Sequence, residues 1–229
     1  MISTILMTIA AAAPVLILTN LILRRSADEP QKWLIGSAIA GVLAAMLATA
    51  AVTLTLPDFE VESFGGTLVD AFCRAAIPEE CFKLLLLFIV AKCCESFNEI
   101  FDGITYAVCL AMGFAFFENV TYLITSDNGW FFTGVLRALV SVPAHYFFAI
   151  IMGAFFSLAW FDTRNRTLNS FLALTLPVCA HGIFDALFLE SPIVEYGSAV
   201  LIVVSVLFFK KLRLYASTLV SRRLSMELN

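Results

Sequence analysis

Charge is what this sequence has least of. Only 14% of its 229 residues are Asp, Glu, Lys or Arg, against about 25% in an ordinary soluble domain, and no stretch is long and polar enough for a separate soluble unit. Histidine occurs twice, and the six cysteines contain no C-x-x-C pair, so neither a disulfide framework nor a thiolate zinc site is indicated. There is no H-E-x-x-H, no phosphate-binding glycine loop and no nucleotide fingerprint, which removes the common motif-borne chemistries. The basic residues form no patch, so a nucleic-acid role has no support.

What is present is hydrocarbon. The chain is 61% hydrophobic, and apolar runs near or above the ~20 residues that cross a bilayer core recur along its length. The pattern predicts an all-α, polytopic membrane helix bundle of about seven transmembrane helices, over residues 2–23, 33–56, 66–91, 103–125, 133–160, 168–189 and 193–209. The third segment is the least regular: Pro78 interrupts it and its first half is amphipathic, so it is expected to be kinked or to enter the membrane part way. The whole reads as one integral membrane domain, with two N-terminal spans (1–63), a four-span core (64–190), and a last span with a basic tail (191–229).

Basic residues mark one side of every pair of spans. Arg24, Arg25 and Lys32 fall in the first connector, Lys92 in the third, Arg164 and Arg166 in the fifth, and Lys210, Lys211, Arg213, Arg222 and Arg223 in the tail. The second, fourth and sixth connectors carry none, and only Arg74, Lys83 and Arg137 remain elsewhere. That alternation predicts an outside N-terminus and a cytoplasmic C-terminus. The first apolar run is read as a retained span, because its basic residues follow it instead of preceding it.

Few ionisable residues remain inside the spans: Glu79, Glu80 and Lys83 in the third, Glu118 in the fourth, His145 in the fifth, and His181 with Asp185 in the sixth. A charge near the bilayer centre costs at least ~2.5–3.5 kcal/mol, so such groups usually face a protein interior or an aqueous cavity. Counted at 1.5 Å per residue from the cytoplasmic ends, Glu80, Glu118, His145 and His181 all lie roughly 18–25 Å deep, on one level in the outer half. Arg74 and Arg137 lie nearer the outer ends and are expected to snorkel to the interface. The tail is expected to meet anionic headgroups. The aromatics of "FAFFEN" and "HYFFAII" read as helix packing and lipid contact.

Spacing adds chemistry. His181 and Asp185, four apart, share a helix face, so Asp185 can accept a hydrogen bond from His181 or join it on a metal. Lys83, one turn beyond Glu79 and Glu80, can hold one carboxylate ionised. Two adjacent carboxylates in a low dielectric cannot both ionise cheaply, and the one ready to exchange a proton suits a general base acting on water. Acids and histidines in a membrane also serve proton relays, which makes a proton-coupled transporter the rival reading. No inverted repeat or pair of matched broken helices supports it.

"PEECFK", "GFAFFEN", "PAHYFFAIIMG" and "HGIFD" follow one another on four successive spans, with "DGITYAVCLAMGF" leading into the second. In that order they resemble the motifs of the PrsW-type intramembrane proteases and, more distantly, of the CAAX-processing and bacteriocin-processing membrane proteases. The resemblance covers residues 70–190 or so. It implies a multi-pass endopeptidase of the bacterial plasma membrane. Such an enzyme cuts single-span membrane-anchored proteins, an anti-sigma factor for example, near the outer face as the first step of regulated proteolysis. By motif it carries over Glu79 and Glu80 as the paired glutamates, with Lys83. Glu118 and Asn119 correspond to the second motif, His145 to the third, and His181 with Asp185 to the fourth. Glu79 or Glu80 is then the base, His145 and His181 are oxyanion stabilisers or metal ligands, and Asp185 orients His181. Two chemistries stay open. In one, a glutamate activates water without a metal and histidine or asparagine donors hold the oxyanion. In the other, a divalent ion such as zinc takes His145, His181 and a carboxylate, Glu80, leaving a position for water. The usual classing of such relatives favours the metal. A non-catalytic relative that binds client helices without cutting them is the remaining alternative.

Overall fold

The structure is a computed structural model and describes residues 2–24, 26, 28–56, 63–125, 129–162 and 164–189. Among them are α1 (Ile2–Leu23) and α2 (Gln31–Thr55), followed by a composite rod in which α3 (Phe64–Val69) passes through a π-helical turn (Asp70–Ala76) into α4 (Ile77–Cys93). Next come α5 (Ile100–Thr125) and a second composite rod, α6 (Trp130–Leu136), a π-helical turn (Arg137–Ser141) and α7 (Val142–Phe161). The last described helix is α8 (Arg166–Leu189). Four stretches, Gln31–Thr55, Ile100–Thr125, Trp130–Phe161 and Arg166–Leu187, are long and apolar enough to cross a membrane. The chain is an all-α, multi-pass membrane-helix bundle. The expected seventh span over 193–209 lies outside the described residues.

The irregular third segment stays helical from Phe64 to Cys93, through the π turn. Its Ile77 N–H donates to the Phe72 carbonyl, five residues back, and in the second composite rod the Val142 N–H donates to the Arg137 carbonyl in the same way. Each π turn ends two residues before a proline, Pro78 or Pro143. Proline has no N–H to give and its ring collides with the carbonyl four residues back in an α register. Widening the preceding turn carries the helix past it, so each proline sits in the first turn of a new α segment, where it is tolerated.

α5 lies at the centre. Every residue from Asp102 to Ala115 is buried, with α2 on one side and α7 on the other. Hydrophobic burial gives little drive between helices in lipid, so close backbone packing must supply it. The sequence meets that need with glycine: a Cβ on Gly41 would strike the Leu110 carbonyl, and one on Gly113 the Ala38 carbonyl. α2 and α5 therefore cross backbone to backbone. Ile35, Ile39, Leu43 and Leu54 of α2 are left exposed, which suits acyl chains and not water.

The connector between α1 and α2 is tied to the start of α5. Ser26 and Thr105 share a hydroxyl hydrogen bond of 2.7 Å, and the Tyr106 hydroxyl donates to the Glu29 carboxylate. Asp102 accepts the N–H groups of Asn98 and Glu99, both at 2.8 Å. At the opposite end of the bundle the starts of α4 and α7 meet the ends of α5 and α8.

Candidate active site

Glu79, Glu80 and Lys83 occupy the first turns of α4, directly after the π turn and Pro78. His145 follows Pro143 by two residues in α7, and His181 lies four beyond Pro177 in α8. The three helices bring these side chains to one point. Nδ1 of His181 lies 2.8 Å from Oε1 of Glu80, and its Nε2 lies 3.8 Å from Oε2 of Glu79. One ligand atom from each of Glu79, Glu80, His145 and His181 falls within 4.8 Å of all the others. Glu80, His145 and His181 are buried.

Lys83 stands among them. Its ammonium donates to Glu80 Oε1 at 2.8 Å and to Glu79 Oε2 at 3.3 Å, and lies 3.3 Å from Nδ1 of His145. The same nitrogen sits 3.8 Å from the centroid of the Phe114 ring, a desolvated cation–π contact. The two carboxylates thus share one buried counter-charge. Phe148 stacks on His181, with centroids 4.9 Å apart and planes at 20°. These two phenylalanines come from the aromatic runs expected to serve packing and lipid contact; both touch the site, and only their positions beside Glu118 and His145 in the motifs hint at it.

A second layer fixes the rings. Glu118 Oε2 lies 2.7 Å from Nε2 of His145, so His145 is held between Glu118 and Lys83. Asp185 Oδ2 lies 3.2 Å from Nε2 of His181. Asn119 stands apart from the quartet: its amide nitrogen donates to the Ala11 carbonyl at 3.0 Å and its oxygen accepts from Nε of Arg137 at 2.6 Å. Its oxygen and one of its two amide hydrogens are engaged, which makes it a tether between α1 and Arg137.

Arg137 corrects an expectation. It does not snorkel; it is buried, with Nη2 3.1 Å from Glu118 and its guanidinium 4.3 Å from the centroid of the Tyr122 ring. The cause is pairing: Arg137 is the lone cation of its composite rod and Glu118 the lone acid in the later half of α5, and a buried charge needs a partner. Arg74 is paired locally, 3.2 Å from Asp70.

Two imidazoles and two carboxylates are the donor types that zinc and similar ions take, so the residues present fit a divalent metal. The second layer matches that reading, since a ligating histidine usually has its other nitrogen held by a carboxylate.

Residues 29–210 match the profile of the PrsW family intramembrane metalloproteases. A protein named protease PrsW from Oceanobacillus iheyensis is 33% identical over 77% of this chain and 80% of its own length. Another of that name from Clostridioides difficile is 32% identical over 83% of this chain and 80% of its own. A third, from Geobacillus kaustophilus, is 36% identical over 52% of each. No solved structure matches.

Proposed function

The chain belongs to the PrsW family of intramembrane metalloproteases, and on that premise we propose a division of labour within its buried quartet. It is a peptide hydrolase of a bacterial plasma membrane that crosses the bilayer several times. In our reading it hydrolyses single-span, membrane-anchored proteins near the outer face, as a first cut in regulated proteolysis. Glu79 is the base, and Glu80, His145 and His181 hold the metal. The gathering of the four donors within 4.8 Å inside an apolar bundle is the observation that carries this reading.

The two glutamates differ in what already binds them. Glu80 is 1% exposed and one of its oxygens meets Lys83 and His181, both at 2.8 Å, whereas the Glu79 side chain is 14% exposed with contacts of 3.3 and 3.8 Å. Glu80 is therefore the anchored group, and Glu79 has acceptor capacity left for a water proton. A bound zinc-type ion supplies Lewis acidity toward the scissile carbonyl and acidity to its water. Asp185 holds the His181 ring, Glu118 holds that of His145, and Lys83 keeps the paired carboxylates from repelling each other. The catalytic core corresponds to residues 64–190, flanked by two spans before and one after. The alternation of basic connectors supports seven spans, an outside N-terminus and a cytoplasmic C-terminus, which puts the quartet in the outer half.

One observation favours a second, metal-free chemistry: the Lys83 ammonium already contacts three of the four donors. There, Glu79 activates water and the buried histidines stabilise the oxyanion.

Reconstitution with single-span clients tests both. Cleavage should be lost in the Glu79→Ala/Glu80→Ala and His181→Ala variants; cleavage that survives both sinks the site. Loss on chelation, with metal content by mass spectrometry restored together with activity, supports the metal reading. Full activity in metal-free protein supports the second. No cleavage, with substrate-dependent proton flux instead, would point to transport.

A further inference from the structure

A groove of about 570 Å³ opens between α4, α7 and α8. Cys81, next to Glu80 in sequence, lines one end, and Lys92 and Arg166 line the other. Between them the walls are apolar, with Leu85, Phe88 and Leu174 among the lining residues. From Cys81 to Lys92 is eleven residues, about 16 Å of helix, which is the depth of one leaflet of a ~30 Å core.

Polarity decides what fits. An extended peptide would bring a carbonyl and an N–H at every residue, and in an apolar site each needs a partner. Apart from the two cations at one end, the groove offers side-chain partners only in the Cys81 thiol, the Ser170 hydroxyl and the Trp160 indole N–H, too few for an extended chain of that length. A hydrocarbon chain asks for none.

The charged end selects the head. The Lys92 ammonium rests 5.5 Å from the Trp160 ring centroid and 5.6 Å from that of Phe88, and Arg166 donates Nε–H to the Ala159 carbonyl at 3.2 Å. Two anchored cations at headgroup depth suit a phosphate, with guanidinium N–H groups left to bond it. The chain's own apolar run after α8 does not suit the groove, because it ends in "FFKKLR" (208–213) and would set like charges against Lys92 and Arg166. We propose that this groove holds one acyl chain of an anionic phospholipid, with its phosphate between Lys92 and Arg166. The proposal needs only that the chain is a membrane bundle and stands whether or not the protease chemistry is right.

The full chain in non-ionic detergent gives the test, by thermal unfolding with dioleoyl phosphatidylglycerol or dioleoyl phosphatidylcholine titrated in. Phosphatidylglycerol is expected to raise the midpoint more than phosphatidylcholine does. Lys92→Gln/Arg166→Gln should raise the half-saturating phosphatidylglycerol concentration roughly thirty-fold. Ala159→Phe, which narrows the groove and keeps both charges, should abolish the excess shift, so head and chain are tested separately. Equal shifts from the two lipids, or an excess that survives both variants, overturns the proposal. So does an equal shift from glycerol phosphate without chains, or from a neutral single-span peptide, which would give the groove to a client.

Discussion

Nε2 of His145 lies 2.7 Å from the same Glu118 oxygen that Arg137 Nη2 meets at 3.1 Å. The arginine therefore acts on the site through a carboxylate. Glu118→Gln keeps the shape and removes the charge, and is expected to lower cleavage and metal affinity ~10–100-fold. Arg137→Met leaves Glu118 buried without its cation and should cost about 3 kcal/mol in thermal or denaturant unfolding. The first is read against the wild-type cleavage rate in liposomes, the second against the wild-type unfolding curve.

Glu79 and Glu80 should fail differently. Glu79→Gln is expected to reduce turnover by ~10²–10⁴-fold with folding and metal content retained. Glu80→Gln should reduce metal content and the unfolding midpoint together, because the oxygen that Lys83 and His181 both meet at 2.8 Å loses its negative charge. Equal loss of metal in both variants would reverse the assignment.

Lys83→Met separates the two chemistries. Without a metal it leaves two buried carboxylates uncompensated and should destabilise by about 3–5 kcal/mol. Added zinc should then raise the midpoint of this variant more than that of the wild type, since the competing ammonium is gone.

Gly41→Leu tests the fold apart from the site. Its side chain would meet the Leu110 backbone, and overpacking of about 1–3 kcal/mol or more is expected as a lower unfolding midpoint.

Burial raises the Glu29 carboxyl above its ordinary 4.5, the Tyr106 hydrogen bond opposes this, and the neighbouring Asp102 adds to it. The folded state then holds the proton more tightly than the unfolded state. Stability from this group is full below the unfolded value and is lost as pH rises through the folded one. Unfolding midpoints followed upward from the ordinary carboxylate range should fall in the wild type, and Glu29→Gln should remove that part of the slope.

Among the described residues, the four stretches long and apolar enough to cross a membrane were legible from run length alone. The quartet was legible because ionisable residues in a membrane are few and their depth can be counted. Direction around a helix was harder. Arg137 looked interfacial by depth, and only the structure shows it turned inward to Glu118. Phe114 and Phe148 share their residue type with the other phenylalanines of their runs, so nothing in residue type distinguishes them. Pro78 was visible as an interruption, but the remedy is a hydrogen-bond pattern, which no single residue encodes.

The two π turns have a consequence for how the site is aimed. Rewinding either turn to α register would displace one residue and swing the helix beyond it by about 100°. Glu79 and Glu80 in one rod, or His145 in the other, would then face away from their partners. Pro78 and Pro143 obstruct that rewinding, because neither ring tolerates the carbonyl that α register would place against it. They work as pegs in a ratchet. Deleting one residue between Asp70 and Ala76, or between Arg137 and Ser141, is geometrically a rotation of the catalytic face.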